Sequence, residues 1–176
     1  RRQINCYSHR DHSWCDRFTH GSPWEVEQPN NLQNTLGHYW PSIQTDNFHL
    51  NAFGLMNTDR ATINPEQVPL GGFLSDKNGS RPIKDAECLD CRLELDGRSA
   101  MSFRYRFTLP DGEIIHVKTG RKYAQSVNGL MRGENDAECL LDCYEGFFDF
   151  EVEETGERGY GVAEYSIHPP FPRWRY

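Results

Sequence analysis

The sequence predicts an all-β, antiparallel barrel of about eight or nine strands with few or no helices. Three observations carry this expectation. In the best-patterned stretch, Phe103, Tyr105, Phe107 and Leu109 fall on one face and Ser102, Arg104, Arg106 and Thr108 on the other, the period-two pattern of a half-buried strand. Turn chemistry recurs between such stretches, at Asp46-Asn47, Asp76-Lys77-Asn78-Gly79, Pro110-Asp111-Gly112 and Glu154-Thr155-Gly156-Glu157. No helical apolar period runs long enough to supply the crossovers of a parallel sheet. A meander of this size must dispose of its edges, and closing into a barrel does so. At about eight strands such a barrel just holds one small ligand.

Taken in chain order, residues 4–14 read as the first strand. Residues 16–36 are polar, contain Pro23 and Pro29, and read as a long loop, either a lid over the barrel mouth or a plain surface connection. Residues 39–45 and 48–55 form a pair around Asp46-Asn47, and residues 70–75 and 82–95 a second pair around residues 76–79. Residues 101–109 and 113–118 make a hairpin across Pro110-Asp111-Gly112. Residues 119–135 read as a second loop with a short helical turn. Phe148, Phe150 and Val152 share a face of a strand that turns at residues 154–157 and returns over 160–167. Pro169, Pro170 and Pro172 end the pairing by removing ladder donors. The barrel is expected to close by pairing its first and last strands.

Composition narrows the function classes. The 176 residues carry 19 Lys and Arg against 26 Asp and Glu, for a formal charge of -7, which opposes a phosphate-backbone binder and so a nucleic-acid partner. No apolar run approaches the roughly 18 residues of a transmembrane helix. No signal-peptide pattern opens the chain, and it starts at Arg1 rather than Met, as expected of a cut, processed or partial chain. Only 36% of residues are hydrophobic, but aromatics at 12% compensate, since each ring buries a large area. One soluble, compact, aromatic-rich domain over residues 1–176 is expected. Six cysteines are an even but sparse set and leave the compartment open. Asn78-Gly79-Ser80 fits a glycosylation acceptor, although an Asn-Gly turn accounts for it as well.

Residues 85–91 (DAECLDC) are echoed by residues 136–143 (DAECLLDC). Cys88, Cys91, Cys139 and Cys143 would make a four-thiolate zinc set, but strand parity opposes it. In an unbroken strand Cys88 and Cys91 project to opposite faces, so only a bulge or turn would unite them, while Cys139 and Cys143 lie roughly 13 Å apart. Ordinary buried thiols are expected ahead of a disulfide between the repeats. His38, His49, His116 and His168 show no metal-ligand spacing to one another. There is no phosphate-cradling glycine motif and no nucleophile elbow, so no cofactor and no metal is expected.

The segment with most chemistry is Ser8-His9-Arg10-Asp11-His12-Ser13-Trp14. As a strand it points Arg10, His12 and Trp14 to one side and Asp11 and Ser13 to the other. An imidazole exchanges protons near neutral pH, and an indole face stabilises a neighbouring cation by roughly 0.5–2 kcal/mol. Protonation of an alkene and shelter of the resulting carbocation need these two groups together. The alternative is a core Trp14 beside a satisfied buried histidine.

Arg10-Asp11-His12-Ser13-Trp14 resembles the RDHSWG signature of the carotenoid 1,2-hydratase (hydroxyneurosporene synthase) superfamily, and Gly159-Tyr160-Gly161-Val162-Ala163-Glu164-Tyr165 resembles its closing GxGxxEY motif. The resemblance implies a lipocalin-like β-barrel matching the second of two tandem domains, with the partner N-terminal domain absent. It implies an apolar isoprenoid, polyene or polyketide-like ligand, with hydration of double bonds or templated pericyclic cyclisation as activities. His12 and Trp14 match the pocket histidine and tryptophan, and Tyr39 lies where the hydratases place a pocket tyrosine. Pro41 stands where an acid follows that tyrosine, and Cys15 where a glycine follows the tryptophan. Asp46 is then the substitute acid, or Asp11 if it faces inward. Trp40, Phe103 and Tyr105 are the expected substrate-lining residues. Glu164 shares a face with Tyr160 and Val162 and is expected inward, where a buried carboxylate needs a partner. Arg10 is that partner in an ion pair fixing closure; a catalytic acid and an exposed, idle Glu164 are the alternatives.

The leading reading is cofactor-independent hydration of a carbon-carbon double bond, or the reverse dehydration. The others are a hydrophobic-ligand-binding module without catalysis, a pericyclase-type template, and a domain that only packs against its neighbour.

Overall fold

The computed structural model describes residues 37–56, 71–96, 99–132 and 139–167. Their elements are all strands: β1 (Gly37–Thr45), β2 (Phe48–Met56), β3 (Gly71–Asp76), β4 (Gly79–Ile83), β5 (Asp85–Leu93), β6 (Ala100–Thr108), β7 (Ile114–Arg132), β8 (Cys139–Val152) and β9 (Arg158–Ile167). They form one antiparallel sheet in the order β4-β3-β2-β1-β9-β8-β7-β6-β5. This is an up-and-down meander of lipocalin-like type whose ring is opened between β4 and β5. Lys84 alone joins those two strands, and its amide bonds Thr108 O of β6 at 2.8 Å, so the chain leaves one edge and pairs at once with β6 to become the other. The sheet curls until β5 approaches β2 and β3 across its concave side. Arg81 on β4 reaches Glu113 in the β6–β7 turn at 2.9 Å, an exposed pair of small energetic weight. No helix among the described residues is long and apolar enough to cross a membrane.

The ring holds together where β1 meets β9, in unbroken register from Gly37↔Ile167 to Thr45↔Gly159. The closing glycines are needed there. A Cβ on Gly159 would sit 2.2 Å from Gln44 O, and one on Gly161 1.9 Å from Ser42 O. The same glycines clear the interior, because Phe148 registers with Gly161 and Phe150 with Gly159.

On the concave side the period-two expectation for residues 101–109 holds: Phe103, Tyr105, Phe107 and Leu109 are all buried. Their rings join a continuous aromatic core. Tyr105 lies 5.4 Å from Phe103 and 5.9 Å from Phe107, while Phe103 contacts Tyr165 at 5.0 Å and Phe148 at 6.1 Å between centroids. Each buried ring of this size contributes about 1.5–3 kcal/mol by leaving water. On the opposite face of the hairpin, Arg104 pairs with Glu153, Arg106 with Glu87 and Lys118 with Glu151.

The turns form where turn chemistry places them, with Gly79, Gly112 and Gly156 at positive φ. The Asn78 amide bonds Asp76 Oδ1 at 2.7 Å, the local bond expected of a turn. Three expectations are corrected. Residues 82–95 are two strands, divided at Lys84, not one. Residues 119–132 are not a helical loop: β7 continues to Arg132, and β8 begins at Cys139 rather than near Phe148; residues 133–135 lie outside the described residues. Register shifts at Thr119/Lys122, Lys122/Ala124 and Gly129/Met131 break the alternation of that long hairpin, and each bulge reverses which face a residue takes. Glu164 faces outward, since the inward set on β9 is Gly159, Ala163 and Tyr165. The expected strand at 4–14 and loop at 16–36 lie outside the described residues.

Candidate functional site

The concave interior brings Tyr39, Phe103 and Tyr105 together. Tyr39 sits inward on β1 opposite Gly54 of β2, where a Cβ would stand 2.1 Å from its hydroxyl; glycine gives the ring its place. Its ring centroid is 5.5 Å from that of Tyr105. Both phenols are fully buried. The Tyr105 hydroxyl has no hydrogen-bond partner among the described residues. Tyr165, by contrast, accepts from Ala100 N at 2.7 Å and donates to Gln125 Oε1 at 3.0 Å. Burial pushes the Tyr105 phenol well above its ordinary value, with Cys88 and Cys91 adding to the effect, so it stays a neutral donor.

Cys88 and Cys91 both reach this interior, which the parity argument allowed only through a bulge. The bulge exists. Cys88 registers with Tyr105 and Asp90 with Arg104, leaving Leu89 as the extra residue, and Cys91 then falls opposite Phe103. Neither thiol is in a disulfide, so the two repeats are not cross-linked. Burial, then the neighbouring Cys91 and Asp90, raise the Cys88 pKa, and burial with Asp90 pushes Cys91 up to about 12. They are protonated, weakly nucleophilic thiols.

This sets a pH dependence. A thiol or phenol held neutral in the fold but able to ionise in the unfolded chain draws the equilibrium toward unfolding above its unfolded pKa. The stabilisation is therefore complete below the ordinary thiol value of 9.0 and is lost as pH rises from there, through about 12 for Cys91. Urea midpoints are expected to hold near neutrality and fall progressively above about pH 9. The Cys88→Ala/Cys91→Ala double variant should show a shallower fall, whatever its absolute stability.

The remaining predicted residues are dispersed. Trp40, next to Tyr39, points to the outer face, donating from Nε1 to Asn51 Oδ1 at 2.8 Å and meeting Phe53 edge-on at 6.0 Å. Asp46 is exposed in the β1–β2 turn, roughly 23 Å along the strand from Tyr39, so the structure does not bring it to the phenols. Pro41 is buried on the Tyr39 side. Glu164 stands on the outer face with His38 Nε2 3.2 Å from Oε1. Arg10, Asp11, His12 and Trp14 lie outside the described residues. Sequence reasoning missed His38 and the inward role of Tyr165; the cue was the register of β9 against β1, which would have put Tyr165 beside Tyr39 and Glu164 beside Trp40.

No protein-family model matches the chain, and none of the curated proteins compared matches it. Among solved structures, the crystal structure of kievitone hydratase from Nectria haematococca is similar at a TM-score of 0.44 and 14% identity, covering 76% of this chain. The chain spans 40% of the length of that structure.

Proposed function

We propose that this domain takes an apolar, isoprenoid- or polyketide-like small molecule into its concave aromatic interior and adds water across a carbon-carbon double bond. The observation that carries the reading is the Tyr105 hydroxyl: a fully buried donor with no partner among the described residues, amid aromatic rings. Leaving such a group unbonded costs about 1–3 kcal/mol, a cost that a ligand hydroxyl or the attacking water removes. The resemblance of residues 10–14 and 159–165 to the carotenoid hydratases supports the reaction class.

In this scheme the His12 imidazolium gives its proton to one alkene carbon, whose π electrons form the new C–H bond. Trp14 and Tyr39 flank the cation left on the other carbon. Tyr105 orients a water whose oxygen bonds that carbon, and the water's second proton returns to His12. Phe103 lines the apolar part of the site. A second lipocalin-like domain completes the enzyme in the same proposal.

One observation favours a ligand-binding module without catalysis. The buried polar residues described are Ser42, Thr45, Ser99 and Thr119, with no carboxylate among them. Turnover of prenyl or polyene substrates in heavy water separates the readings. Hydration leaves one carbon-bound deuterium beside the new alcohol, and His12→Ala lowers the rate by about 100-fold or more. Binding without product supports the module, while turnover unchanged in His12→Ala removes His12 from the mechanism.

A further inference from the structure

The outer face carries a second group of chemically active side chains, unconnected with the aromatic interior. His38 comes from β1, Glu164 from β9 and Cys143 from β8, three strands adjacent in the sheet. Glu164 registers opposite Trp40 on one side and Glu145 on the other. His38 and Cys143 each lie two residues from those partners, on the same face, at the diagonal positions that longer side chains bridge. One ligand atom from each of the three residues lies within 4.8 Å of the other two, and His38 Nε2 is 3.2 Å from Glu164 Oε1. The Cys143 side belongs to a residue only 3% exposed, and the imidazole is held by stacking on Phe53 at 5.6 Å.

Two arrangements use such a trio. In a nucleophilic relay, acid and thiol bond opposite nitrogens of the imidazole and so lie well apart. Here the carboxylate oxygen and the thiol sulfur are themselves within 4.8 Å, so the three groups converge on a point. A tetrahedral zinc site with bonds of about 2.0 Å to nitrogen and oxygen and 2.3 Å to sulfur has edges of about 3.3–3.6 Å. The His38–Glu164 separation of 3.2 Å is close to such an edge.

We propose that His38, Cys143 and Glu164 bind a borderline-soft divalent cation, zinc by donor set. A thiolate and a carboxylate balance the charge of the ion, neutral imidazole is the third ligand, and the thiol proton passes to solvent on binding. A fourth position stays available to water or a further side chain. The mixed sulfur, nitrogen and oxygen set disfavours magnesium and calcium, which take oxygen ligands.

The test loads the purified full chain, stripped with chelator, with cobalt(II) and then zinc(II). One equivalent of cobalt should give the strong visible absorption of a tetrahedral site with a thiolate-to-cobalt charge-transfer band, and zinc should bleach both. Cys143→Ser should remove the charge-transfer band. Glu164→Gln and His38→Ala should each weaken zinc binding by about tenfold or more, and zinc should raise the melting temperature of the parent but not of Cys143→Ser. Glu164→Gln is nearly isosteric and serves if the other variants fail to fold. Absence of stoichiometric binding, an octahedral cobalt spectrum without the sulfur band, or a parent-like affinity in all three variants would overturn the proposal.

Discussion

Gly161→Ala is expected to destabilise the protein by about 3 kcal/mol, a large loss from adding a single methyl group. The added Cβ would stand 1.9 Å from Ser42 O and 2.9 Å from Ser42 C. Those are backbone atoms of β1, so no rotamer change relieves the overlap; β1 and β9 must separate. That seam is what joins the two halves of the meander, and Phe148 packs in register over Gly161, so the disturbance reaches the core. For a chain of this size the change corresponds to roughly 6–12 °C in melting temperature. Gly120→Ala is the matched control, since its Cβ would meet the Asp149 Cβ at 3.2 Å, a shallow overlap that a shift of a few tenths of an ångström relieves. Urea unfolding at constant slope should separate the two variants by more than about 2 kcal/mol. Equal effects would mean that β1 and β9 are not closely paired.

The glycines of the closing motif thus have a structural reason, and so does each of its other distinctive residues. Gly159 and Gly161 admit the β1 backbone, Glu164 meets His38, and Tyr165 bonds Ala100 and Gln125. The sequence shows the spacing of these residues but not which strand they approach.

Much of the fold was legible from local pattern. The 101–109 strand reads directly because its alternation is unbroken and one face is apolar. The turns read because Gly79, Gly112 and Gly156 occupy backbone regions that favour glycine. The long β7–β8 hairpin did not read, because its bulges shift the period repeatedly. Cys88 and Cys91 share a face through the bulge that the parity argument required, one unpaired Leu89 reversing parity between them. Outward Glu164 was misread because Tyr160 and Val162 made its face look apolar, whereas Tyr160 is exposed and the glycine face turns inward.

The candidate sites were less legible than the strands. Spacing within one segment cannot show a group assembled from separate strands, and His38 and Glu164 are 126 residues apart in the chain. Tyr39 and Tyr105 likewise meet only because the sheet curls. What the sequence did show was that Tyr105 sits on a buried face; that its hydroxyl lacks a partner among the described residues is a property of the packing.

Tyr105→Phe is the most direct measurement of the central claim, that the Tyr105 hydroxyl, without a partner among the described residues, is a donor for an apolar ligand. The phenol ring touches Phe103, Phe107 and Tyr39, and phenylalanine keeps all three contacts. Deleting the hydroxyl removes a buried group without a partner among the described residues, so stability should hold or rise by about 1 kcal/mol. Binding should respond in the opposite direction. With retinol as a fluorescent polyene alcohol, affinity should fall about tenfold, equivalent to about 1.4 kcal/mol, the scale of one hydrogen bond. A variant that loses more than about 1 kcal/mol of stability while binding retinol as tightly as the parent would contradict the account.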